Sequence, residues 1–185
     1  MFQHTIDENL ALRVFRLDDA EEFFQLTMKN KAYLKEWLGW LDYTNTVEDT
    51  KENIRGRLQG IVETGGYPKS VAILYKGKIA GTIGYNEINR TSRIGTIGYW
   101  LGEEYQGNGI MTKSCEAFIT YGFTELNLNR IEIAAATENK KSRALPERLR
   151  FTEEGTIRQA EWLYDHYVDH VIYGLLREEW GKNQS

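Results

Sequence analysis

The sequence has little that would staple, anchor or subdivide it. Its single cysteine, Cys115, cannot form an internal disulfide, which agrees with a reducing compartment. Only two prolines occur in 185 residues, with no low-complexity tract and no internal repeat, so nothing signals a linker. No apolar run approaches the roughly 20 residues of a membrane span, and the first residues lack the basic-then-apolar order of a secretion signal. The expectation is a cytoplasmic protein without membrane attachment. Positive charge is also short: 23 Lys and Arg stand against 27 Asp and Glu, a net of −4. That is the reverse of a nucleic-acid footprint, so direct RNA or DNA contact is not expected. Mild acidity instead favours approach of a cation, such as a free amine on a basic protein or a polyamine.

What is present is ordinary globular material, 41% hydrophobic and 27% charged, and residues 1–185 are long enough to bury a core as a single domain. Alternation over residues 10–17 predicts a first strand. Asp18 or Asp19 then caps a helix with Phe23, Phe24, Thr27 and Met28 on its inner stripe. Thr46 and Asp49 have capping-box spacing, and Ile54, Leu58, Ile61 and Val62 mark a second helix that stops at Gly65-Gly66. From Ser70 the period becomes two. Residues 71–75, 78–85 and 94–101, separated by Lys76-Gly77 and by residues 89–92, predict an antiparallel meander. A helix follows over 110–126, with Met111, Cys115, Phe118, Ile119 and Phe123 inward; then come a strand at 130–136, a short helix at 142–150, and two β-rich segments ending near Leu176. The sum is an α/β layered domain.

Between the strand at 94–101 and the helix after it lies Gln106-Gly107-Asn108-Gly109-Ile110-Met111. Two glycines allow a sharp turn and close approach of a ligand, and the first N–H groups of a new helix have no intrahelical partner. Such donors suit phosphate oxygens. A plain turn with a helix cap fits the same residues. There is no Gly-x-x-x-x-Gly-Lys-Ser/Thr, and the third glycine of Gly-x-Gly-x-x-Gly is missing, so neither a nucleoside triphosphatase nor a nicotinamide enzyme is favoured.

Gln-Gly-x-Gly-Ile on a strand-to-helix turn, followed about thirty residues later by Asn139-Lys140-Lys141-Ser142 and then Leu149-Arg150-Phe151, resembles the acetyl-CoA signature of the GNAT N-acetyltransferases. Trp37-Leu38-Gly39-Trp40 and Gln159-Ala160-Glu161 resemble, within that superfamily, the Rim-type ribosomal-protein N-terminal acetyltransferases. The resemblance spans essentially the whole chain and implies the GNAT fold: a mixed, mostly antiparallel central sheet flanked by helices. It implies acetyl-CoA as co-substrate, with no metal, and acetyl transfer to a primary amine by direct attack in a ternary complex. The acceptor it implies is the N-terminal α-amine of a ribosomal protein, and related proteins are often dimers or larger. In the family the glycine turn holds the CoA pyrophosphate, which maps onto Gln106, Gly107, Asn108, Gly109, Ile110, Met111 and Thr112. Asn139 maps onto the pantetheine arm, although Asn is also a favoured helix N-cap. The strand end Tyr99-Trp100-Leu101 is implied to splay from its neighbour and to offer an N–H to the thioester carbonyl, an interaction worth several kcal/mol in a transition state. Trp37 and Trp40 map onto an aromatic wall for the acceptor, or are core residues.

Amine acetylation needs an uncharged nucleophile. An α-amine with a pKa near 8 is roughly a tenth neutral at pH 7, whereas a lysine near 10.4 is neutral in well under one molecule per thousand. By resemblance Glu161 is the base and Ser142 the acid for the departing thiolate, with Tyr164 and Tyr167 as competing acids. Because a free Glu near 4.3 is a poor base, burial of Glu161 or a water relay is expected. Ser142 is also a helix-cap candidate, and Glu161 a candidate solvated strand residue. Two positions depart from the family pattern: Arg150 stands where related sequences have Gly, and Pro146 interrupts the short helix. They keep a CoA-binding sensor without turnover among the readings, beside an acetyltransferase of a polyamine or aminoglycoside-like amine. Asp165-His166-x-x-Asp169-His170 has metal-ligand residue types, but its β-rich surroundings place the histidines about 13 Å apart along a strand, too far to share an ion.

Overall fold

The computed structural model describes residues 3–183, which form one sheet of eight strands flanked by helices. In chain order the strands are β1 (Gln3–Thr5), β2 (Leu10–Arg13), β3 (Ser70–Tyr75), β4 (Lys78–Asn89), β5 (Ile94–Leu101), β6 (Arg130–Ala136), β7 (Thr152–Leu163) and β8 (His166–Leu176). The helices are α1 (Ala20–Lys29), α2 (Lys31–Lys35), α3 (Val47–Glu63), α4 (Ile110–Thr124), α5 (Lys140–Arg148) and α6 (Arg177–Asn183). Across the sheet the order is β1-β2-β3-β4-β5-β6-β8-β7. The β5–β6 pair is parallel, whereas β1–β2, β2–β3, β3–β4, β6–β8 and β7–β8 are antiparallel. This is the mixed, mostly antiparallel sheet the resemblance implied. Among the described residues no helix is long and apolar enough to cross a membrane. The chain gathers into two compact units, one built from residues up to Gly84 with Tyr99–Ser114, the other from Tyr85–Gly98 with residues from Cys115 onward.

The first unit is closed by Phe15, Ala20, Phe23, Leu26, Leu34, Leu41, Ile54, Ala72, Ile79 and Trp100, all buried. Its strand at 10–17 is shorter than alternation predicts, because Asp19 turns the chain. The Asp19 carboxylate takes both guanidinium arms of Arg13 at 2.8 and 2.9 Å and the Arg16 N–H at 2.7 Å. The Arg13–Asp19 side chains are 9% and 11% exposed, a setting in which removing one partner costs about 3–5 kcal/mol. On α1, Phe23 and Thr27 are buried as expected, but Leu26 joins them while Phe24 and Met28 stay half-buried. The capping box on α3 is formed, with the Thr46 hydroxyl accepting from Asp49 N–H at 3.1 Å and Asp49 accepting from Thr46 N–H at 2.8 Å. The helix ends at Gly65-Gly66: Gly65 N–H reaches Val62 O and Gly66 N–H reaches Ile61 O, both glycines having positive φ. Only Ile54 of the four predicted apolar positions is fully buried, and Val62 is 79% exposed. The reason is Arg57, whose guanidinium lies 5.0 Å from the Phe15 ring centre and 5.9 Å from that of Phe23, covering the core with a cation. His4 lies in β1 opposite Leu12.

In the second unit Tyr85 stacks on Phe118 at 4.9 Å, and its hydroxyl donates to Phe118 O at 3.1 Å. Ile131, Ile133, Val171, Tyr173 and Leu175 are buried on one face of the β6–β8 pair. Segment 165–170 is a turn and the start of β8, as its β-rich composition predicted. The short helix begins at Lys140 rather than 142, and Pro146 lies inside it without ending it.

Candidate active site

The glycine turn is formed by a backbone that only glycine adopts readily. Gly107 has φ +79° and Gly109 φ +70°, and a Cβ at either would meet nothing within 4 Å. The surface above both residues is therefore open, and a side chain there would intrude on whatever the loop faces. Lys113 N–H bonds Gly109 O at 3.1 Å, so the second glycine is tied into the first turn of α4. Asn108 braces the loop, its amide donating to Tyr105 O at 3.3 Å and Gln106 O at 3.2 Å.

Two side chains that sequence patterns did not single out hold this loop. Gln106 donates to the Tyr33 hydroxyl at 2.6 Å, and burial pushes the Tyr33 phenol up from its ordinary value. Buried Asn30 accepts from Glu103 N–H at 2.8 Å and donates to Leu26 O at 2.9 Å and to the Glu104 carboxylate at 3.2 Å. Neither belongs to a spacing motif, since both act across more than seventy residues of chain. Trp100 and Leu101 are buried, and Trp100 stacks on Phe23 at 5.4 Å and meets Trp40 at 6.3 Å. Trp40 thus lies against the core, while Trp37 and Tyr99 are half-buried. The parallel ladder between β5 and β6 runs only from Ile94↔Arg130 to Ile97↔Ile133, although β5 continues to Leu101 and β6 to Ala136. Beyond Ile97 and Ile133 no further ladder pair joins the two strands among the described residues.

In the second unit Asn139 is the N-cap of α5, its side chain accepting from Ser142 N–H at 3.1 Å while its own N–H bonds Ala136 O at 2.9 Å. This is the cap that sequence left as an alternative, and it joins Asn139 to Ser142. Arg143, absent from any motif, fixes the helix: its guanidinium donates to the Tyr173 hydroxyl at 2.9 Å and Thr137 O at 3.0 Å and approaches Glu153 at 3.4 Å. Of the two expectations for Glu161, burial or a water relay, full burial is not what the fold provides. Its side chain is 37% exposed, and Oε2 lies 3.0 Å from Nε2 of His170. Tyr164 has φ +60° in the β7–β8 turn, and Tyr167, 56% exposed, packs edge-on against Trp162 at 4.8 Å. Cys115 is fully buried and its thiol is pushed up by burial, so it is a core residue rather than a nucleophile.

A left-handed glycine turn that opens a helix is an arrangement that takes an anionic ligand. The sequence pattern of the family described as "Acetyltransferase (GNAT) domain" matches residues 9–152. The chain belongs to the GNAT acetyltransferases. Within that family it is 36% identical over 187 residues to "Putative ribosomal N-acetyltransferase YdaF" of Bacillus subtilis (strain 168), covering 97% of this chain and 98% of that protein. It is 31% identical to the ribosomal-protein-serine acetyltransferase of Escherichia coli (strain K12), over 92% of this chain and 94% of that one. Among solved structures it is similar to RimL, the ribosomal L7/L12 α-N-protein acetyltransferase, in complex with coenzyme A, with a TM-score of 0.90, 31% identity, and coverage of 96% and 99%. The chain is a GNAT N-acetyltransferase over nearly its whole length.

Proposed function

We propose that this GNAT enzyme moves an acetyl group from acetyl-CoA to the N-terminal α-amine of a ribosomal protein, with residues 1–185 acting as a single catalytic domain. The observation that carries the acceptor is the near end-to-end likeness to YdaF, a protein named for ribosomal N-acetylation. The open, left-handed turn at Gly107 and Gly109 fits a pyrophosphate: neither glycine presents a Cβ, and the turn leads into the N-terminus of α4. In this reading Gln106 to Thr112 hold the pyrophosphate through backbone N–H groups, Asn139 orients the pantetheine arm, and the strand end at Tyr99, Trp100 and Leu101 lines the thioester. Trp37 and Trp40 wall the acceptor. Acetyl-CoA, when bound, supplies the activated acyl group.

The protein's own residues then handle the protons. Glu161 accepts the proton that leaves the attacking α-amine, through a water where its partly exposed carboxylate does not reach the nitrogen directly. Ser142 presents its hydroxyl to the departing sulfur, with solvent supplying the net proton. An α-amine asks less of such a base than a lysine, because a larger share is already neutral. The net charge of −4 favours a basic acceptor over direct contact with nucleic acid. We place the enzyme in the cytoplasm. Exposed Ile157, Trp162 and Tyr167 on the β7–β8 hairpin favour a homo-oligomer.

The test is thiol release from acetyl-CoA with a panel of free-N-terminus ribosomal-protein peptides, polyamines and aminoglycosides, alongside calorimetric acetyl-CoA binding. Peptide-dependent release supports the reading. Release with small amines alone replaces the acceptor, binding without any release favours a sensor, and failure to bind acetyl-CoA overturns the reading of the glycine turn.

A further inference from the structure

We infer that His170 is a positioning residue for the transfer, holding one oxygen of the Glu161 carboxylate so that the other is presented to the acceptor amine. The inference rests on Glu161 being the base in the reading above and extends it to a residue outside that reading. It begins with an irregularity in the β7–β8 hairpin. The register pairs Ile157 with His170 and Glu161 with Val168, so residues 158–160 stand opposite Asp169 alone. An even ladder would put residue 159, not 161, across from Val168. Two additional residues keep Glu161 on the face of the sheet that carries His170 and draw it back toward that histidine.

The bulge is built at a cost and then held. Gln159 has φ +50°, a conformation that costs a residue with a Cβ about 1–2 kcal/mol. Its N–H donates to the Asp169 carboxylate at 2.7 Å. Asp169 is fixed in turn, since its carbonyl accepts from the N–H and the hydroxyl of Thr137, each at 3.0 Å. Strain kept by a chain of specific hydrogen bonds at such a point indicates a functional placement rather than a loop tolerated by chance. What it places is the Glu161 Oε2 to His170 Nε2 contact of 3.0 Å. An ionised carboxylate has no proton to give, so Nε2 carries the hydrogen and donates.

The surroundings leave the pair to act together. His170 and Glu161 side chains are 21% and 37% exposed, so the histidine is half-covered while the carboxylate keeps access to an incoming group. Opposite His170 on β6 is Ala136, whose small side chain leaves room. Ala136 O accepts from Asn139 N–H, so the turn into α5 with Asn139 and Ser142 starts at the same end of the sheet. Two of the charged groups near the pair are engaged elsewhere, His166 with Asp165 and Asp169 with Gln159, while Arg130 is held by Glu132 and Glu154. The Arg130 group lies at the far end of the strand pair, opposite Leu176.

Losing a carboxylate's fixed orientation costs up to about a hundredfold in rate when reacting groups move by an ångström. With the most active peptide of the panel, His170→Ala is expected to lower kcat about 10- to 100-fold, with KM for acetyl-CoA unchanged. His170→Gln, whose amide can donate to the same oxygen, is expected to recover most of that loss. In a Glu161→Gln background, His170→Ala is expected to add nothing. A second measurement needs no acceptor: nitrogen-15 NMR of the imidazoles in the full chain is expected to show hydrogen on Nε2 of His170 and a displaced signal in Glu161→Gln. A wild-type kcat in His170→Ala, equal damage in His170→Gln, a further loss in the double variant, or an Nε2 without hydrogen would each overturn the inference. Undiminished turnover by Glu161→Gln would instead remove the base assignment on which it rests. Circular dichroism and acetyl-CoA calorimetry on each variant separate these effects from misfolding.

Discussion

Replacing Arg150 by glycine is expected to stabilise the protein, because the arginine occupies a conformation suited to glycine. Helix α5 ends with Arg150 N–H bonded to Glu147 O at 3.1 Å and Phe151 N–H bonded to Pro146 O at 3.0 Å. That two-bond closure requires a left-handed residue at its centre, and Arg150 has φ +62°. A side chain with a Cβ pays about 1–2 kcal/mol there. Glycine removes that strain but loses roughly 0.5–1 kcal/mol more in chain entropy on folding, leaving a net gain of about 0.5–1 kcal/mol. For a protein of this size each kcal/mol moves Tm by about 2–4 °C, so Arg150→Gly should melt about 1–4 °C higher. Arg150→Ala keeps the Cβ and serves as the control: it loses the guanidinium without relieving the strain. Differential scanning calorimetry of the two variants isolates the backbone effect as the gap between them. Equal melting temperatures would refute the reasoning. Acetyl-CoA affinity should be unchanged in both, because the Asn139–Ser142 cap already forms with Arg150 in place.

Gly109→Ala tests the turn itself: the φ of +70° predicts a loss of about 1–2 kcal/mol without any clash. A calorimetric fall of about tenfold or more in acetyl-CoA affinity should accompany it, and unchanged affinity with lowered stability would reduce the turn to a helix cap. Acid stability tests the Arg130–Glu154 pair, in which the guanidinium holds the Glu154 carboxyl below its ordinary value of 4.5. A depressed carboxyl contributes stability that is present above 4.5 and is lost as pH falls through the lowered folded value. Glu154→Gln should therefore melt below the wild type near neutrality and converge on it as pH drops below 4.5. Parallel curves at all pH values would show that the pair contributes nothing, and partial exposure keeps the expected effect small.

Local chemistry was legible wherever neighbours in sequence determine it. Thr46 and Asp49 make their capping box, and Gly65 and Gly66 close α3 through bonds to residues only three and five back. Period-two segments became strands and the glycine turn became the entry to α4, because alternation, cap geometry and left-handed glycines follow from steric rules acting over a few residues. The order and spacing of Gln106–Ile110, Asn139–Ser142 and Leu149–Phe151 were enough to indicate the family before any coordinates. What sequence could not convey is which distant groups share a bond. The inward faces of α1 and α3 shifted because Leu26 packs at Gly102 and Arg57 spreads over Phe15 and Phe23. Tyr33 on Gln106, Asn30 on Glu103, and Arg143 on Tyr173 have no signature, because each depends on chain segments brought together only by the folded sheet and helices. His170 shows the division most plainly. Its spacing from His166 suggested a ligand pair, and strand geometry removed that reading, but its partner is Glu161, nine residues away across a bulge. Residue types and periods determined the elements; the register of two strands, set by long-range hydrogen bonds, decided which side chains meet.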